Sequence, residues 1–169
     1  MINPDRFNYF RLRYSVTDDA LDTLHPICKR QFEDLAEMLE ANPFKDDAGG
    51  RWLFLPFEAY RHPARQAMLL GEGRTRAAPY SSAHQFGLAV DFVPVRDGVV
   101  GQWSWQAPKE AWDFLGQCAQ KFGLVQPISW DRPHIESPVW SQLARALRKA
   151  LDGTPVKGAA GPTGGRVSP

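Results

Sequence analysis

Apolar residues in this chain fall into alternating helical and strand-like patterns, and these patterns predict its elements. Over residues 17–42, Leu21, Leu24, Ile27, Phe32, Leu35, Met38 and Leu39 recur every three or four positions, the spacing of one helical face. Thr17, Asp18 and Asp19 offer N-caps for that segment, and Pro26 predicts its division in two. Asn42-Pro43 and the run Asp46-Asp47-Ala48-Gly49-Gly50 then read as a loop. Residues 52–60 read as an aromatic-rich strand whose Pro56 suits an edge or a bulge, and which delivers Arg61 at its end. A short helix is expected over 64–70, with Pro63 near its start and Gly71 and Gly73 beyond it, followed by a polar loop carrying Arg74 and Arg76.

The second half repeats these signals. Residues 88–95 alternate as a strand with Asp91 inside it, and Asp97-Gly98 marks a turn. The clearest helix is 108–122, where Ala111, Trp112, Leu115, Cys118, Ala119 and Phe122 form a face and Gly123 is placed as C-cap. A further strand over 124–129 and an amphipathic helix over 138–151 complete the expected elements, and Pro133 predicts an extended path from Asp131 to His134. Residues 3–14 suit a short strand or a wrapping arm. From Gly153 the chain is rich in Gly, Pro and small residues, so one domain over 1–152 and a flexible tail over 153–169 are expected.

Composition narrows the partners. A length of 169 residues suits one compact domain with its own core. The net charge of +1 lacks the basic footprint a nucleic-acid binder needs, so no nucleic-acid partner is expected. No apolar window is long enough for a membrane span and no signal peptide is visible at the start, so a soluble monomer made inside a cell is expected. Cys28 and Cys118 have no partner at metal-ligand spacing and read as buried, reduced thiols, with a disulfide between them left open. Trp103, Trp105 and Trp130 suit the core better than a sugar- or peptide-binding groove.

Candidate chemistry centres on Ser81-Ser82-Ala83-His84-Gln85-Phe86-Gly87-Leu88-Ala89-Val90-Asp91 and on Trp130-Asp131-Arg132-Pro133-His134-Ile135-Glu136. Two imidazoles, His84 and His134, with one carboxylate, Asp91, make a three-ligand set suited to Zn2+ that leaves a fourth position open. Hydrolysis by such a centre needs a proton acceptor, and Asp131 is the first candidate. Glu136 is the second, or else it holds a ligand histidine in its tautomer. Arg61 suits a substrate carboxylate or a developing oxyanion, and Ser82 and Gln66 suit hydrogen bonds to a substrate backbone. His25 and His62 stand outside both stretches and read as structural or exposed.

The combination Ser82-x-His84-x-x-Gly87-x-Ala89-x-Asp91 followed by Asp131-x-Pro133-His134 resembles the zinc signature of peptidase family M15, the D-alanyl-D-alanine carboxypeptidases and L-alanyl-D-glutamate endopeptidases. Tyr60-Arg61 followed by Gln66 is similar to that family's arginine-bearing segment, so the likeness runs over 54–136. It implies a small α+β fold with a central antiparallel sheet flanked by helices, zinc on His84, Asp91 and His134, and an acidic base at Asp131. It also implies hydrolysis of peptidoglycan stem peptides. An aspartate before Pro-His looks more like the endolysin and cell-wall endopeptidase branch than the carboxypeptidases. With no export signal visible, this fits a phage-type endolysin that reaches the wall after release, and a bacterial enzyme exported by another route is left open. A noncatalytic, zinc-stabilised wall-binding module on the same fold is the alternative, and the presence of Asp131 argues against it.

Overall fold

The computed structural model describes residues 20–96 and 104–151. The arm over 3–14, the caps Thr17, Asp18 and Asp19, the Asp97-Gly98 turn, Trp103 and the tail from 153 lie outside the described residues.

A short 3-10 helix, Ala20–Thr23, precedes helix α1, Pro26–Ala41. The break falls at Pro26, which lacks the N–H an interior helical position requires and so opens α1 instead. His25 is the N-cap, its Nδ1 accepting from the Ile27 N–H at 3.2 Å. The same device opens helix α2, Pro63–Gly71, where His62 Nδ1 accepts from the Ala64 N–H at 3.2 Å. Each His-Pro dipeptide thus starts a helix. The face of α1 formed by Cys28, Phe32, Leu35, Ala36 and Leu39 is buried, while Ile27, which the spacing placed on that face, is exposed in the first turn instead.

Four antiparallel strands lie in the order β1 (Phe44–Lys45), β2 (Arg51–Glu58), β3 (Ala89–Arg96) and β4 (His134–Glu136). Side chains alternate across β2 and β3. Phe54 and Phe92 face α1 and helix α3 (Lys109–Lys121), and Phe54 meets Trp112 of α3 edge-on at 5.4 Å. On the opposite face Leu53, Leu55, Val93 and Val95 form a smaller buried cluster. Burying each of these large side chains contributes about 1.5–3 kcal/mol, which makes the β2–β3 pair the rigid centre of the molecule. A last helix, α4 (Val139–Leu151), touches this core through Trp140, which stacks on Phe86 at 5.2 Å.

Register carries the functional consequence. Asp91 of β3 pairs with His134 of β4 on one side and with Glu58 of β2 on the other. A bulge between Pro56 and Glu58 makes the second pairing, because Pro56 already faces Phe92 and Phe57 is the extra residue. Without that insertion Glu58 would fall one position out of the row. One cross-strand row therefore holds Glu58, Asp91 and His134.

Two expected elements differ. The strand over 124–129 is reduced to a single bridge between Val125 and Glu136, since Pro127 cannot extend a ladder and Gln126 turns its amide to the Arg132 carbonyl at 2.6 Å. The path from Asp131 to His134 is a turn, closed by the His134 N–H on the Asp131 carbonyl at 3.2 Å. Pro133 removes a donor but its fixed φ is compatible with a turn, and the Gln126 bond holds Arg132 inside it. Cys28 and Cys118 are both free and buried, and burial pushes the Cys28 thiol up to about 11. Among the described residues no helix is long and apolar enough to cross a membrane.

Candidate metal centre

His84 reaches the Asp91–His134 pair from a second 3-10 helix, Ala83–Phe86, that ends at Gly87. Gly87 has φ +64°, and a Cβ there would lie 2.7 Å from the His25 amide nitrogen and 3.0 Å from the Thr23 carbonyl oxygen. The glycine between the histidine and the aspartate is thus required twice, for a left-handed turn and for close approach to the start of α1. His84 Nε2 lies 3.0 Å from His134 Nδ1 and 3.2 Å from Asp91 Oδ1, and His134 Nδ1 lies 3.3 Å from the same oxygen.

The outer atom of each group is held as well. His84 Nδ1–H donates to the Ala59 carbonyl at 2.7 Å, and His134 Nε2–H donates to Glu136 Oε2 at 3.0 Å. With those tautomers the lone pairs of His84 Nε2 and His134 Nδ1 both face the Asp91 oxygen. Three electron-rich atoms converging in a buried site repel one another unless a proton or a metal ion lies among them. The triangle they make also matches a metal. A tetrahedral zinc with bonds of about 2.0–2.1 Å separates its ligand atoms by about 3.3 Å, close to the three distances seen. Among the described residues these three form a group with metal-ligand geometry. With no cation present, burial opposes charge on His134, but its bonds to Asp91 and Glu136 prevail and push it up to about 9. Burial likewise opposes charge on Asp91, and the two imidazoles overcome it and hold the carboxyl well below the usual range.

Arg61 supports the centre from behind. Its Nη2 donates to Asp91 Oδ2 at 3.0 Å and to Glu58 Oε2 at 2.6 Å, its Nε donates to the same Glu58 oxygen at 3.0 Å, and its Nη1 donates to Gln66 Oε1 at 3.1 Å. Four of its five N–H donors are therefore engaged inside the protein. Its main visible effect is to pin Oδ2 of Asp91 so that Oδ1 faces the histidines. Gln66 departs from the expectation of a substrate contact. Gln66 is fully buried, and its amide nitrogen donates to the Ala77 carbonyl at 2.8 Å and to Thr75 Oγ1 at 3.2 Å. With both ends of its amide engaged, it braces Arg61 and the 72–80 loop instead of facing a ligand.

Glu58 was missed in the sequence, because it closes an apolar strand far from either motif. The available signal was its i,i+3 spacing to Arg61. Burial works against its charge, yet Arg61 and Arg65 overcome this and lower its carboxyl.

The front of the centre opens into a cavity of about 470 Å³. Asp131, half-buried on the turn before β4, lines it, and so do Ser82 and Glu136. Burial and the neighbouring charge of Asp91 raise the Asp131 carboxyl above its ordinary range, which suits a group that accepts and returns a proton. Ser82 precedes the 3-10 helix without capping it through its side chain, so it is not committed to that helix. Trp130 also lines the cavity and is 61% exposed, and Trp105 is 49% exposed, so neither is a core residue as expected. Trp130 stands exposed beside the Asp131 turn, with the Arg76 guanidinium 4.5 Å from its ring centre.

No family model matches the sequence, and a comparison with curated proteins finds no match. Solved structures do match. The L-Ala D-Glu endopeptidase ChiX of Serratia marcescens superposes with a TM-score of 0.53 at 19% identity, over 73% of this chain and 87% of its own. The chain has the fold of an M15-type peptidoglycan peptidase. The vancomycin resistance D,D-pentapeptidase VanY in complex with Zn(II) is also similar, with a TM-score of 0.46 at 18% identity over 72% of this chain and 78% of its own. This α+β fold is the one that the zinc signature implied, and the sheet at its centre is what aligns Asp91 with His134.

Proposed function

We propose that the chain is a zinc-dependent peptidase acting on bacterial peptidoglycan stem peptides, with the L-Ala–D-Glu bond favoured over the terminal D-Ala–D-Ala bond. The convergence of His84 Nε2, His134 Nδ1 and Asp91 Oδ1 at 3.0–3.3 Å on the floor of an open cavity carries this reading. These three residues would hold the ion, with Arg61 and Glu136 fixing the outer edges of Asp91 and His134. Zinc there supplies the Lewis acidity that amide hydrolysis needs. Asp131, half-buried in the cavity wall beside the ligand set, takes the proton from attacking water and passes it to the leaving amine. The one Arg61 N–H not engaged inside the protein is available to a substrate oxygen, and Ser82 is placed to hydrogen-bond the substrate backbone. Preference for the endopeptidase bond is supported by the aspartate at the base position and by the likeness to ChiX, an L-Ala D-Glu endopeptidase. The aspartate also supports an endolysin-like enzyme acting on the wall after release.

The test is mass spectrometry of fragments released from a defined muropeptide by the zinc-loaded protein. Cleavage between L-Ala and D-Glu is expected, and Asp131→Asn should retain zinc while losing activity by about 10²–10⁴-fold. Release of D-alanine alone would move the assignment to a carboxypeptidase. A zinc-loaded chain that cuts neither bond would overturn the enzymatic reading.

A further inference from the structure

The cavity has a second wall that the hydrolytic machinery does not use. It is formed by the loop after α2, where Arg74, Thr75, Arg76 and Ala77 line the cavity. The loop is anchored along its length. The Arg74 N–H donates to the Leu69 carbonyl at 2.8 Å, Gly73 supplies a left-handed turn with φ +68°, and the Ala77 N–H donates to Thr75 Oγ1 at 3.2 Å. The buried Gln66 amide then ties Ala77 and Thr75 to Arg61. The Arg76 guanidinium carbon lies over the Trp130 ring, 4.5 Å from its centre, a contact that restrains the side chain. Among the described residues Arg76 has no carboxylate partner, and Arg74 has only the exposed Glu72 at 3.5 Å. Such an exposed pair contributes little.

Charge makes this wall meaningful. Asp91, Asp131 and Glu136 face Arg61, Arg74 and Arg76 around the cavity, so a divalent ion at the ligand set would leave it net positive. A neutral peptide gains nothing from two further cations there, whereas an anionic one does. A cavity of about 470 Å³ is on the order of 10 Å across, or roughly three residues of extended chain. An anion held by Arg74 and Arg76 therefore lies within one or two residues of the bond at the metal.

Resting on the peptidase reading above, we infer that Arg74 and Arg76 form a carboxylate subsite that selects substrates bearing a free acid beside the scissile bond. In a stem peptide that acid is the α-carboxylate of D-glutamate, and amidation of this group would remove its charge. A planar guanidinium restrained by an aromatic ring suits bidentate carboxylate recognition.

The experiment compares two muropeptides that differ only in this group, one with the free acid and one with the amide, using the zinc-loaded protein. The expected kcat/KM ratio is about tenfold in favour of the acid, falling as salt is raised because the wall is exposed. In Arg74→Gln/Arg76→Gln the ratio should fall to near one, and Arg74→Lys/Arg76→Lys should restore part of it. Equal cleavage of acid and amide by the unaltered protein, or a ratio that survives in the glutamine variant, overturns the subsite and leaves the peptidase reading standing. If neither peptide is cut, the peptidase reading fails and calorimetric binding of the same two peptides decides the subsite. Tighter acid binding that is lost in the glutamine variant supports it, and equal binding ends it.

Discussion

The floor and the wall of the cavity are built in opposite ways. On the floor, His84 and His134 are almost fully buried, and every group has a second partner behind it: the Ala59 carbonyl, Glu136, or Arg61 behind Asp91. On the wall, Arg74 and Arg76 are exposed, the backbone that carries them is tied down, and their side chains meet only the surface groups Glu72 and Trp130 among the contacts described above. The difference follows the chemistry. A metal tolerates ligand displacements of a few tenths of an ångström, so its ligands need packing and backing hydrogen bonds. A carboxylate meeting guanidinium in water tolerates more movement. Gln66 joins the two regions through one buried amide.

The sharpest way to break this contrast is to remove a floor ligand. His134→Ala or His84→Ala should abolish stoichiometric zinc binding and reduce hydrolysis by more than about 10³-fold. Metal analysis of the purified variant is the check. A variant that keeps one tightly held zinc would show that another side chain completes the set and would disqualify the assigned triad.

Next in size is Gly87→Ala, which tests whether the floor depends on the path of the backbone. A methyl group there meets the His25 nitrogen at 2.7 Å in a residue already at φ +64°, and neither backbone can retreat cheaply. A loss of about 3 kcal/mol is expected, seen as a fall in Tm of about 6–12 °C, together with weaker zinc binding as His84 is displaced. An unchanged Tm would mean that the turn adapts and that the close approach is incidental.

A smaller effect is expected from Arg61→Lys, because the ligands themselves remain. Lysine keeps one positive charge but cannot hold Glu58, Asp91 and Gln66 together, so Asp91 loses its orientation. Zinc affinity should fall by about 10–100-fold, measured by competition with a chelator. If affinity holds and only KM rises, Arg61 acts chiefly on substrate, as the sequence first suggested.

These residues also show how far a sequence can be read. The candidate ligand set was legible because metal chemistry allows few residue types and because His84, Gly87 and Asp91 lie within eight positions of each other, and the fold brings its three side chains together. Helix α1 and strand β3 were legible from periodicity. Glu58 was not, since it joins the row only through a bulge at Phe57 that composition does not announce. Gln66 was identified as important but faced the wrong way, because an amide beside an arginine serves a ligand or a scaffold equally well until its neighbours are known. Trp130 was assigned to the core for the same reason: ring size favours burial, and only the fold shows that it stands exposed beside Arg76.

The smallest expected effect separates histidines by location. His62 is exposed and caps α2, the helix that carries Gln66, while His84 is buried and faces the cavity. His62→Ala removes one N-terminal acceptor, a loss of at most about 1 kcal/mol, so Tm should fall by about 2–4 °C with zinc content unchanged. Because α2 fraying would loosen the Gln66 anchor before it reached the floor, any kinetic change should be in the preference for acidic substrate and not in metal binding. His62→Asn, which supplies another capping acceptor, should restore the lost stability. Loss of zinc in His62→Ala would show that the scaffold of the wall and the floor of the metal centre are not separable in the way their hydrogen bonds suggest.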